Sequence, residues 1–166
     1  IHCTKRLELY NMAGATLSLD NPVFAQFLFY AGVVLIKTCL MSLFTARYRH
    51  KNKAFLTDED CQSLKRRTGM DVKPSKNDPD VERVRGCHQN DLENVIPFVL
   101  LGLLYSLTDP NPWHATMHFR IFTVARLFHS VAYLYPLPQP SRALGWFLGY
   151  IVTLSMGVSV VRAGVL

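Results

Sequence analysis

The sequence predicts an all-α integral membrane protein, a bundle of four transmembrane helices, and three observations carry that reading. Residues 22–46 form a run whose only charge is Lys37, and residues 143–161 carry no charge at all; about 20 apolar residues suffice to cross a bilayer. Two further apolar runs, residues 95–107 and 113–135, lie between them and are joined by the short connections "TDPNP" and "PLPQP". Composition agrees, since 49% of the 166 residues are hydrophobic and only 18% charged, which is apolar for a soluble chain and one domain in length.

Residues 1–20 stand apart. The stretch "IHCTKRLELYN" precedes Met12 and has no apolar core, so residues 1–20 are expected to be a disordered extension to a domain spanning 21–166. The first helix, about 22–46, is too long for the core of a cleaved signal and is expected to remain as an anchor. A loop of about 47–79 follows. Of the 18 Lys and Arg residues, 11 fall between Arg47 and Arg85, which places this loop in the cytoplasm and both termini in the lumen. The same loop supplies most of the net charge of +6 and suits anionic lipid or an anionic substrate. Nucleic acid is excluded as a partner, because no basic stripe is interleaved with exposed aromatics.

The second helix, about 80–108, has to borrow polar residues to reach across. Residues 95–107 rise only about 20 Å against a hydrocarbon core of about 30 Å. Counting back from Leu107 starts the span near His88 and draws Asn90, Asp91, Glu93 and Asn94 to the cytoplasmic interface. At 100° per residue, Glu82, Arg85, Gln89 and Glu93 share one face with Arg83, Asn90 and Asn94 beside it. Val81, Val84, Leu92, Val95 and Ile96 take the other. A solvated helix end would account for Glu82 and Arg85 but not for polar groups one and two turns deeper, which point to a ligand site.

The third helix, about 113–135, repeats the pattern, with Arg126, His129 and Tyr133 aligned at i, i+3, i+7 and Arg120 pointing away. Arg142 opens the fourth helix, about 141–161, just after the proline turn, and Arg49 ends the first. Every helix thus brings a polar group to one membrane level. Arg, His and Tyr donors with a few carboxylates and amides suit a small zwitterion bearing more than one carboxylate. His114 and His118 have the i, i+4 spacing of a metal pair, yet no Cys, Asp or Glu shares their face, so packing is expected and no metal. Lys37 either snorkels or pairs with a carboxylate of the second helix.

Cys3, Cys39, Cys61 and Cys87 form no C-x-x-C pair and are expected to be free thiols. Cys39 and Cys87 are expected as small buried hydrophobes. Cys61, between the acidic run 58–60 and the basic run 65–67, is expected at the surface as a modifiable, regulatory thiol.

The segments "VERVRGCHQNDLENVIPF", "GLLYSL", "HFRIFTVARLFHSVAYL" and "PLPQPSRALGWFLGYIVTLSM" resemble the microsomal glutathione transferases, within the superfamily of membrane-associated proteins in eicosanoid and glutathione metabolism. The resemblance covers about residues 22–161. It implies a homotrimer of four-helix subunits in the endoplasmic reticulum membrane, with the mitochondrial outer membrane as a further location. It also implies glutathione as co-substrate, bound between subunits near the cytoplasmic face, with contacts at Arg49, Arg85, His88, Asn90, Glu93, Arg126, His129, Tyr133 and Arg142. The implied reaction joins the glutathione thiolate to hydrophobic electrophiles in the bilayer, with lipid hydroperoxide reduction beside it. Arg142 is the first choice to stabilise the thiolate and Arg126 the second.

Two alternatives from the same superfamily are a glutathione-dependent prostaglandin E synthase and a non-enzymatic lipid-binding scaffold. A scaffold could dispense with the polar cluster. Two positions depart from the pattern: Gly86 stands where a second Arg usually follows Arg85, and Ala143 stands where the prostaglandin E synthase branch carries Ser.

Overall fold

The computed structural model describes residues 17–165, and the expectation for the N-terminal extension lies outside the described residues as far as position 16. Five helices follow one another: α1 Pro22–Asn52, α2 Asp58–Thr68, α3 Pro79–Ser106, α4 Pro112–Leu134 and α5 Ser141–Val165. Three of the long helices start by the same local device. Asn21, Asp78 and Asn111 each stand before a proline, and each side chain accepts backbone N–H groups of the first turn. The proline fills a position whose N–H would have no helical partner, and its fixed φ already suits the helix.

The loop expected over 47–79 is not plain loop. α1 continues to Asn52, and α2 forms inside the loop with Thr57 as N-cap and Gly69, at φ 74°, as the left-handed stop. Its first turn carries Asp58, Glu59 and Asp60 and its last turn Lys65, Arg66 and Arg67, each sign set against the opposite end of the helix dipole. The connection is tied back to α3, where Asn52 Nδ2 donates to Asp78 Oδ1 at 3.0 Å and to Asp80 Oδ2 at 3.1 Å. Pro97 lies within α3 and does not end it.

The four long helices pack side by side, α3 touching each of the other three. Their core is aromatic: Phe98 of α3 stacks on Phe122 of α4 at 3.7 Å, and Phe119 meets Phe27, Phe98 and Tyr105 edge-on or nearly so. Gly102 leaves room for the Phe27 ring, since a Cβ there would lie 2.8 Å from it. The outer faces are apolar too, with Phe29, Ile36, Leu43, Leu100, Val124 and Ile151 exposed, an arrangement that water would penalise and lipid would not. Among the described residues α1 and α5 are long and apolar enough to cross a membrane, with mean hydropathies of 2.0 and 1.8.

Candidate functional site

At the centre of the four long helices is an ion cluster that the apolar core surrounds. Asp91 of α3 is fully buried and its Oδ1 accepts from two cations, the Lys37 ammonium of α1 and Arg126 Nη2 of α4, the latter at 2.6 Å. Arg126 is itself 0% exposed. Its Nη2 also donates to Asn90 Oδ1 at 2.9 Å, while Nε, Nη1 and Asp91 Oδ2 have no partner among the described residues. Two cations against one carboxylate leave the cluster a formal +1. A charge held this deep persists only if its hydrogen bonds are good or an anion comes to it.

Around this centre the expected site residues divide. Arg142 of α5 places its guanidinium over the Tyr133 ring at 4.8 Å, and the ring of His129 lies 5.7 Å from that of Tyr133. Both Arg142 and Tyr133 are half-buried, whereas His129 is buried. Gly86 explains how Tyr133 can sit there: a Cβ on residue 86 would lie 2.7 Å from the Tyr133 hydroxyl.

A groove of about 440 Å³ between α1 and α3 is lined by Arg85, Gly86 and His88 with Ser42, Thr45, Glu82 and Gln89, so it adjoins the Gly86–Tyr133 contact. Arg85 is engaged with Glu82 at 2.7 Å, and Glu93, exposed, accepts from Gln89 at 3.2 Å. Arg49 is elsewhere. It lines a separate cavity of about 390 Å³ between the end of α1 and α2, with His50, Asp60 and Arg67. One chain therefore gathers Asn90, Arg126, His129, Tyr133 and Arg142, while Arg85 and Glu93 are exposed and Arg49 and His88 are half-buried in the walls of two separate grooves.

Within one chain Arg126 is buried and bonded to Asp91 and Asn90. Two sequence expectations need correction. Cys61, expected at the surface, is 5% exposed, because it is the inward residue of α2. Burial pushes its thiol above the usual value, and the Asp58 and Asp60 carboxylates add to the shift. Cys39, expected to be buried, is exposed on the outer face of α1, while Cys87 is buried against Ser130. Leu92 and Ile96 face outward while Val81, Val84 and Val95 face in. His118 commits both ring nitrogens, Nδ1–H donating to His114 O at 2.7 Å and Nε2 accepting from the Ser155 hydroxyl at 3.0 Å.

Asp91 is the site residue that helical-wheel reasoning missed. The signal was present, because Val84, Cys87, Asp91, Val95 and Phe98 follow one another at spacings of three and four, and a lone carboxylate on such a stripe faces the interior.

Residues 27–162 match the MAPEG family. The chain is 48% identical over 153 residues to microsomal glutathione S-transferase 1 of Homo sapiens and to that of Sus scrofa, a match covering 92% of this chain and 97% of each relative. It is 36% identical over 149 residues to prostaglandin E synthase of Homo sapiens, covering 90% of this chain and 95% of that protein.

Proposed function

The chain belongs to the MAPEG family, and from that premise we propose that it is a glutathione transferase acting on hydrophobic electrophiles at a membrane. The observation that carries this is the 48% identity to microsomal glutathione S-transferase 1 across 92% of the chain. The polar cluster agrees, because a scaffold that only presents lipid has no need of a buried cation pair or of an arginine stacked on a tyrosine at its rim. In the proposed arrangement the four long helices span the endoplasmic reticulum membrane, the connection carrying α2 faces the cytoplasm, and three copies assemble. Assembly lets Arg49, Arg85, His88 and Glu93 of one copy face Asn90, Tyr133 and Arg142 of another across a shared glutathione.

The chemistry then follows from charge. A free thiol with pKa about 8.5 is only about 3% ionised at pH 7, and a shift of about two units makes thiolate the majority form. Arg142 supplies it, since a guanidinium close to the sulfur favours the anion and cannot give up its own proton. The thiolate lone pair forms the new S–C bond and the electrophile's leaving group departs with its electron pair. The protein need provide no nucleophile of its own. Carboxylates and ammonium of the tripeptide are held by Asn90, Arg85 and Glu93, with Arg126 and His129 supporting from below.

Isothermal titration of glutathione into the detergent-purified protein tests the reading. Saturable binding, together with turnover of an aryl halide that requires both substrates, is expected. Absence of glutathione binding by a folded sample would sink it.

A further inference from the structure

We propose that Lys37 and Asp91 are positioning residues that, through Arg126, fix the Asn90 side-chain amide so that its N–H groups face the ligand's carboxylate. This rests on the glutathione reading above. Arg126 carries donors only, so the Asn90 atom 2.9 Å from its Nη2 must be the carbonyl oxygen. That settles the amide's orientation on chemical grounds and turns Nδ2 away from the Arg126 guanidinium. Asn90 is half-buried, at the edge of the cluster, whereas Arg126 and Asp91 are sealed. Asn90 therefore reaches a ligand and Arg126 does not.

Arg126 can hold Asn90 only if Arg126 itself is held. Asp91 does this from the same helix as Asn90, accepting from Nη2 at 2.6 Å. Lys37, from α1, occupies the same Asp91 oxygen, so three helices are locked into one chain of contacts: α1 through Lys37, α3 through Asp91 and Asn90, α4 through Arg126. Without Lys37, Asp91 would be free to turn its carboxylate to the Nε edge of Arg126, and Nη2 would lose its geometry toward Asn90. Preorganisation of this kind lowers the cost of binding without adding a contact to the ligand.

A simple Coulombic role predicts the opposite sign. Asp91→Asn raises the formal charge of the cluster from +1 to +2, and a cluster acting only by its field would then hold an anion more tightly. A positioning role predicts weaker binding. The experiment compares Asp91→Asn, Lys37→Met and Lys37→Arg with the wild type in purified oligomer, reading glutathione Kd by calorimetry, KM and kcat with an aryl halide, and the pH midpoint of bound thiolate by its near-ultraviolet absorbance. Expected is a rise of about tenfold in Kd and KM for Asp91→Asn and Lys37→Met, the ratio that one lost charge-assisted hydrogen bond supports. The kcat at saturating glutathione and the thiolate midpoint stay near wild type, because Arg142 is untouched, and Lys37→Arg recovers most of the affinity. Should Asp91→Asn not assemble, Lys37→Met and its rescue by Lys37→Arg decide. Tighter binding by Asp91→Asn, or an unchanged Kd in Lys37→Met, overturns the positioning role while leaving the transferase reading intact. Failure of the wild type to bind glutathione removes both.

Discussion

Gly86→Ala separates stability from activity at a single carbon atom. The added Cβ would sit 2.7 Å from the Tyr133 hydroxyl and 3.5 Å from its Cζ, and ordinary contact begins about 0.7 Å farther out than the first of these. The obstacle is the tip of a side chain, so it can give way. Replacing Gly by Ala inside a helix favours folding by about 1 kcal/mol, comparable to the cost of nudging the phenol off its rotamer, about 0.5–1.5 kcal/mol. Thermal stability in detergent should therefore hold level or rise slightly. Activity should not, because Tyr133 is the surface on which the Arg142 guanidinium rests at 4.8 Å. A ring pushed by a fraction of an ångström moves the cation assigned to the thiolate, and misplacements of about 1 Å cost up to about a hundredfold. The expected outcome is a several-fold loss in kcat with an aryl halide at saturating glutathione, and an unchanged or higher melting temperature. Undiminished kcat in a folded variant would show that the Tyr133–Arg142 stack plays no part in turnover.

Arg142→Leu should move the thiolate midpoint of bound glutathione up by about two pH units, toward the free thiol, while glutathione Kd measured by calorimetry rises far less. Gly145→Val should weaken the α4–α5 contact by about 1–3 kcal/mol in denaturant titrations, because even the Cβ would lie 3.0 Å from the Ala125 carbonyl oxygen and 3.2 Å from the His129 Cα, backbone atoms that cannot swing aside. Asp78 is held below the usual carboxylate range by the Val81 N–H first and by Asn52 next, so its ionised form stabilises the start of α3 above the unfolded value and that gain is lost as pH falls through the lower folded one. The difference in melting temperature between wild type and Asp78→Ala should be widest above about pH 5 and shrink below about pH 3, and a gap independent of pH would assign the capping to geometry alone.

What the sequence made legible follows from which forces act locally. The apolar runs of α1 and α5 announced themselves by length, while the Asn or Asp before Pro at three helix starts went unread. α2 escaped because it is short and predominantly polar, with Cys61 its single buried residue, and such a helix shows no long apolar run. Of the polar level expected across the helices, Asn90, Arg126, His129 and Tyr133 lie near Arg142, while Arg49 lines a separate cavity. Their division of labour was not legible. Whether a polar residue on a membrane helix meets ligand or protein depends on which neighbouring helix supplies the countercharge, and that is a property of packing. Arg126 illustrates it: its spacing with His129 and Tyr133 suggested three equivalent donors, but only the register of α4 against α3 places Asp91 and Asn90 on its guanidinium and seals it. Lys37 completes the case, because its pairing with Asp91 makes three residues that look like separate anomalies on three helices into one structural unit. An intramembrane charge is therefore best taken together with every opposite charge at its depth before any of them is assigned to a ligand. By that rule Asp91, Lys37 and Arg126 answer one another, and Asn90 and Arg142 at their edge are among the residues proposed to meet the substrate.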